Sequence, residues 1–313
     1  MTYKNQANFT GLVRSIPYGK SKTRFLVLAF SCLALLIGSV AGAEPQQDKK
    51  SHSSKTLRTM ARVYMAFGEY AKAQPLAENA LILAKKRCES DSEIALCLID
   101  LATLYKYQNK LSDAEKMCEL GLKLQKETLY ENHPYMAYTL RISGSIYKEQ
   151  GKYRQARAAL DKAMAIMYES HTENDKALAP FWVDFASLLV AKGDLEEAEA
   201  YYKRAITLIN SSYGPDHLYT ANVLGGVAKL YALQGRYDEA EKLIDRTIAT
   251  QERIYGRDHH LIAESWLTKA KVCRAKGDYV RSEKLIEKAQ LSEVRKAGNP
   301  VMFAKLEFRS QRP

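Results

Sequence analysis

The chain has 313 residues, of which 46% are apolar and 27% charged, with only 8 prolines and 16 glycines, a composition that suits a folded, helix-rich globular protein. Its five cysteines, Cys32, Cys88, Cys97, Cys118 and Cys273, have neither zinc-site spacing nor the density of a disulfide framework. The formal charge of +11 does not indicate a dedicated nucleic-acid binder, because Lys4, Arg14, Lys20, Lys22 and Arg24 all fall in residues 1–43, which hold no Asp or Glu, and removing them leaves +6.

Residues 25–43 read FLVLAFSCLALLIGSVAGA. A basic stretch, an apolar run and the small-residue ending Ala41-Gly42-Ala43 predict a secretory signal cleaved before Glu44. An uncut membrane anchor is the alternative, since about 18 apolar residues is near the minimum span, and its basic flank would leave the body on the non-cytoplasmic side. Lipidation at Cys32 and a mitochondrial presequence are weaker readings of the same segment. Residues 44–55 are polar and read as a linker.

From residue 56 to about 298 the chain repeats. Gly68, Gly151, Gly193, Gly235 and Gly277 mark turns, the last four spaced 42 apart, and Asn109 fills the gap after Gly68. Asn is the natural substitute for Gly where φ is positive. Eleven residues before each turn stand Leu57, Leu98, Leu140, Trp182, Leu224 and Trp266. Seven before stand Ala61, Ala102, Gly144, Ala186, Ala228 and Ala270, and four before stand Tyr64, Tyr105, Tyr147, Leu189, Tyr231 and Cys273. These offsets lie on one face of a helix. Ala73, Ala114, Ala156, Ala198, Ala240 and Ser282 follow each turn by five, on the face of a second helix. Each unit is therefore expected to be an antiparallel helix pair that buries its apolar faces by stacking on its neighbours.

These columns resemble the tetratricopeptide repeat, and the longer unit is similar to the kinesin light chain type. Tyr213-Gly214-Pro215-Asp216-His217 and Tyr255-Gly256-Arg257-Asp258-His259 stand in register between repeats, with Tyr130-Glu131-Asn132-His133-Pro134 a looser copy. The resemblance implies an all-α, right-handed superhelical solenoid of about six repeats whose first helices line a concave groove. Residues 299–313, opening at Asn299-Pro300, read as a short capping segment. There are departures: Pro75 early in a second helix, Ser143 at a large apolar position, and a turn over His171–Ala179 of another form. The Asn pair with which kinesin light chains grip cargo has no counterpart, so that binding mode does not carry over.

No motif for catalysis is present: no GxSxG, P-loop, GxGxxG or HExxH. His133, His217 and His259 occupy one column of the inter-repeat turns and read as turn residues, too far apart for one metal. No cofactor, metal or enzymatic activity is expected. Cys118 and Cys273 fall in core columns. If the body is exported, a Cys88–Cys97 disulfide is the alternative to two separate thiols. Asn210-Ser211-Ser212 fits the glycosylation sequon, which matters only in a eukaryotic secretory cell.

The function expected is that of a non-enzymatic scaffold, secreted, periplasmic or membrane-tethered, that binds other proteins. The alternative is a regulatory or assembly subunit of an envelope enzyme complex that binds through its convex face or ends. Ten, six and three residues before each turn lie positions beside the core stripe. Among these eighteen, Arg58, Arg62, Lys106, Arg141, Lys148, Lys229, Lys271 and Arg274 are basic and none is acidic. They predict a basic groove for an acidic, extended segment of a partner protein, with membrane contact only through an uncut N-terminal segment.

Overall fold

The computed structural model describes residues 53–130, 132–171, 175–257 and 259–297. The signal or anchor over 1–43, most of the linker and the capping segment 299–313 lie outside them. Among the described residues no helix is long and apolar enough to cross a membrane.

Among the described residues twelve α-helices form six hairpins: α1 Ser54–Ala66 with α2 Tyr70–Lys86, α3 Asp91–Tyr107 with α4 Leu111–Thr128, α5 Pro134–Glu149 with α6 Tyr153–Ser170, α7 Ala179–Lys192 with α8 Leu195–Tyr213, α9 Leu218–Leu233 with α10 Tyr237–Tyr255, and α11 Ala263–Ala275 with α12 Tyr279–Ala297. Short 3₁₀ turns, Lys176–Leu178 and His260–Ile262, lead into α7 and α11. The architecture is an all-α right-handed superhelical solenoid. Helix α1 begins at Ser54, two residues inside the expected linker, because the Ser53 hydroxyl accepts the Thr56 N–H and caps it.

One device makes every hairpin. The residue after each turn position donates its N–H to the carbonyl five residues back: Glu69 to Tyr64, Lys110 to Tyr105, Lys152 to Tyr147, Asp194 to Leu189, Arg236 to Tyr231 and Asp278 to Cys273. This is the helix-ending bond of a Schellman turn, which requires a left-handed residue between. Asn109 supplies it at φ 60°, beside glycines such as Gly193 at φ 90°. The small residues expected in the partner-facing columns are buried, and their size matters. A Cβ on Gly144 would stand 2.8 Å from Leu160 Cγ, so repeat three closes only with glycine there.

Successive first helices touch, α1 with α3, α3 with α5 and so on to α9 with α11, whereas successive second helices do not pack together to that degree. A row of hairpins drawn together on one side bends toward that side. The first helices therefore form the inner layer and the second helices the convex one. The main core runs through repeats three to five around Phe181, Trp182 and Phe185, with a smaller cluster of Ala61, Met65, Ala73, Leu101 and Leu104 at the start. The last repeat ends in polar residues. Gln290 and Glu293 are exposed where repeat four has Ile206 and Ile209.

Cys88 and Cys97 are separate thiols: Cys88 is exposed in the turn after α2, while Cys97 is buried in α3, where burial pushes its pKa up to about 12. Cys118 and Cys273 are buried in the core, as their columns predict.

Candidate protein-binding face

The inner face is built from first-helix residues that neither the hairpin partner nor the neighbouring repeats cover. Residues 11, 7 and 4 before the turn meet the second helix of the same hairpin. Residues 12, 8 and 5 before the turn, such as Phe181, Phe185 and Leu188 in α7 or Val223, Val227 and Leu230 in α9, are buried on another side of the helix, facing the preceding repeat. What remains open lies 13, 6 and 2 before the turn. Those columns present Lys55, Arg62 and Ala66 in α1, Tyr107 in α3, Tyr138 and Glu149 in α5, Asn222, Lys229 and Leu233 in α9, and Glu264 and Lys271 in α11.

The eight basic residues anticipated for this face separate into two groups. Columns 10 and 3 turn toward the next repeat, and their cations stitch repeats together. Arg58 is only 7% exposed; its Nε donates to Asp100 Oδ2 and its Nη1 to Glu93 Oε1, both at 2.8 Å. Arg141 Nη1 meets Asp184 Oδ2 at 2.6 Å. Lys106 Nζ donates to Ser145 Oγ at 3.1 Å, and Lys148 Nζ to Ser187 Oγ at 2.8 Å. Burial pulls the Lys106 ammonium below its usual range, and Arg141 and Lys148 add to that against Asp184 and Glu149. Burial pushes the Asp100 carboxyl up, with Arg58 and Arg62 opposing it.

The second group faces outward from the inner layer. The Arg62 side chain is 66% exposed and passes Asp100 at 3.8 Å. Lys229, Lys271 and Arg274 are exposed. The positive charge on offer is therefore concentrated in repeats one, five and six. The middle is near neutral, with Asp184 and Glu149 beside the arginine and lysines.

Tyr107, 51% exposed, and Tyr138 were not anticipated on this face. The signal for them is the second buried stripe at 12, 8 and 5 before the turn, which shifts the centre of the open face away from columns 10 and 3.

The three histidines of the inter-repeat column cap helices. His133, His217 and His259 each accept, at Nδ1, the N–H of the residue two further on, at 3.1, 3.1 and 3.3 Å. Among the described residues no three His, Cys, Asp or Glu side chains converge to hold a metal ion.

Models of the tetratricopeptide repeat match residues 53–127, 178–243 and 226–290, and a second model of the repeat matches 142–166. The chain belongs to the tetratricopeptide repeat family. Among curated proteins none matches it. Of solved structures, a Rap protein complexed with competence and sporulation factor aligns with a TM-score of 0.63 at 13% identity, over 90% of this chain and 78% of that one. The apo form of RapI aligns with a TM-score of 0.58 at 15% identity, over 88% and 93%. BtubC (BKLC) from P. vanneervenii aligns with a TM-score of 0.53 at 19% identity, over 80% and 94%. At these identities the likeness is one of fold.

Proposed function

We propose that this protein is a non-enzymatic, exported or membrane-tethered scaffold whose inner face holds an extended, acidic segment of a partner protein. The observation that carries the reading is the set of exposed cations, Arg62, Lys229, Lys271 and Arg274, on the inner layer of helices. Tetratricopeptide repeats serve generally in protein interaction, and the Rap protein of similar fold is solved with a bound factor. Charge of this kind mainly accelerates encounter and is screened by salt. Arg58 and Arg141 enter the argument as staples of the array, because each is already paired.

The test is a charge reversal at Lys229→Glu with Lys271→Glu. Extended synthetic peptides of equal length, one acidic and one basic, are titrated by fluorescence anisotropy at low and moderate salt. Preference for the acidic peptide, weakened by salt and lost in the double variant, is the expected result. Equal binding of both peptides, unchanged by the reversal, would move the contact to the convex face, where Ile82 and Leu120 stand exposed. Export is tested separately by sequencing the mature N-terminus, expected at Glu44.

A further inference from the structure

Nearly every contact in the array joins one repeat to the next, but one set joins its two ends. Phe67, the residue before the first turn glycine, has its ring edge-on to Tyr255 at the end of α10, with centroids 6.5 Å apart and planes at 79°. The next residue, Gly68, lies against the His260 ring, and a Cβ there would stand 2.1 Å from His260 Nε2. The turn glycines Gly151, Gly193, Gly235 and Gly277 have nothing within 4 Å of the same position. Both contacts bring the first turn onto the loop that joins the fifth repeat to the sixth.

The sequence at this column supports a built contact. In four of the five later repeats the residue before the turn reaches back to the preceding hairpin: Gln108 to Gln74 at 2.9 Å, Gln150 to Glu115 at 2.8 Å, Gln234 to Glu199 at 3.1 Å and Lys276 to Glu241 at 2.7 Å, while Lys192 pairs with Asp194 in its own turn. The first repeat carries a phenylalanine in that place, and its ring goes to Tyr255. Rings buttress the contact from both sides. Tyr70 stacks on Tyr107 with centroids 5.5 Å apart, Tyr255 on His259 at 5.0 Å, and His259 on His260 at 4.4 Å. Burial pushes the phenols of Tyr70 and Tyr255 up, Tyr107 adds to both, and Glu293 near the end of α12 adds to Tyr70.

We infer that Phe67 and Gly68 form a clasp with Tyr255 and His260 that closes the row of repeats around its own inner face, so that a bulky partner reaches that face only when the clasp opens. The inference rests on the reading of the inner face as the binding surface. One edge-on ring pair and one ring over a glycine are a small contact beside the interfaces between repeats. The clasp therefore opens without unfolding any hairpin, and the superhelix supplies the hinge along its length.

The test needs no partner. In the full chain with Cys32→Ser and Cys88→Ser, which leaves only the buried Cys97, Cys118 and Cys273, one exposed reporter thiol is placed on the inner face by Ala191→Cys or on the convex face by Ala165→Cys; both positions are exposed. Each is reacted with N-ethylmaleimide and with a polymer-linked maleimide, and the ratio of rates is compared. The polymer is expected to lag about tenfold or more at position 191 but not at 165, because minor open states of this kind are populated at about 0.1–10%. Phe67→Ala, and separately Gly68→Asn, which keeps a residue the turn accepts but sets a Cβ against His260, should bring the ratio at 191 to that at 165 while the helical circular dichroism is kept. Equal ratios at the two positions in the parent would show that no clasp restricts the face, and a lag that survives both substitutions would show that these residues do not form it. Either result leaves the peptide titration free to stand or fail by itself.

Discussion

The fourth repeat meets its neighbours mostly with hydrocarbon, whereas the first adds a buried charge cluster to a smaller apolar contact. In α7, Phe181, Trp182, Phe185, Leu188 and Leu189 are all buried, and they anchor the largest core cluster. In α1 the buried residues are Ser54, Arg58, Ala61 and Met65. The Ser54 hydroxyl donates to Glu89, and Arg58 bridges to Glu93 and Asp100 on the second hairpin. The backbone plan is the same, so the difference lies in how the two regions respond to loss of a side chain. Apolar burial is non-directional and shared among many neighbours. An ion pair holds one geometry, and its value depends on both partners remaining. The clasp is formed by the end of the array where buried charge adds to the smaller apolar contact.

The largest test of this contrast is Phe181→Ala, which removes a ring with no exposed surface from the main core. It is expected to cost about 3–5 kcal/mol in urea unfolding. Because the cluster spans repeats three to five, hydrogen exchange should rise across those repeats together.

Asp100→Ala should cost less, about 1.5–3 kcal/mol, the usual worth of hydrogen bonds to a charged group. Arg58 keeps Glu93 at 2.8 Å, so its charge is not left alone. The loss should be local: faster hydrogen exchange in α1 and α3, with α7 unchanged. A global loss as large as that of Phe181→Ala would erase the distinction between the two regions.

How far this contrast is legible in the sequence differs from level to level. The hairpins are legible because six copies place the same residue types at the same offsets, and a Schellman turn admits little but Gly or Asn at its centre. Asn109 is the clearest case. The inner face is legible only in part. The stripe of Leu57, Ala61 and Tyr64 fixes one side of α1. The stripe facing the preceding repeat is carried by dissimilar residues: Cys97, Leu101 and Leu104 in α3, Thr139, Ser143 and Ile146 in α5. Without that second stripe the open face is centred too near columns 10 and 3, which draws in Arg58 and Arg141 and leaves out Tyr107 and Tyr138. Ser143 looks like a departure in sequence, yet it is buried with its hydroxyl donating to the Thr139 carbonyl at 3.1 Å, which satisfies it within its own helix. The clasp has one sequence sign, Phe67 in a column of Gln and Lys, and that sign says nothing of which distant residue it meets.

The smallest expected effect separates the entry to the fourth repeat from the entries to the third, fifth and sixth. The 3₁₀ turn before α7 is capped by a carboxylate, with Asp175 Oδ1 accepting the Ala177 N–H at 2.8 Å. Helices α5 and α9, and the 3₁₀ turn before α11, are capped by the Nδ1 of His133, His217 and His259, which can accept only while that nitrogen carries no proton. Burial lowers the His133 pKa below its ordinary value, so the folded protein favours the neutral ring that the cap requires. A folded pKa below the unfolded one means that the contribution of His133 is fully present above pH ~6.5 and is lost as pH falls through the lower folded value. The loss should reach up to about 1 kcal/mol, the usual worth of an N-cap. Substitution His133→Asn keeps an efficient capping acceptor and removes the titration. Thermal melts of parent and variant between neutral pH and pH 5 should therefore diverge, with the parent falling further. Protonation also places a positive charge at the N-terminus of α5, where the helix dipole opposes it, and this works in the same direction. Parallel melts across that range would show that the histidine cap contributes nothing that titrates, and the entries to the third and fourth repeats would then be equivalent in acid.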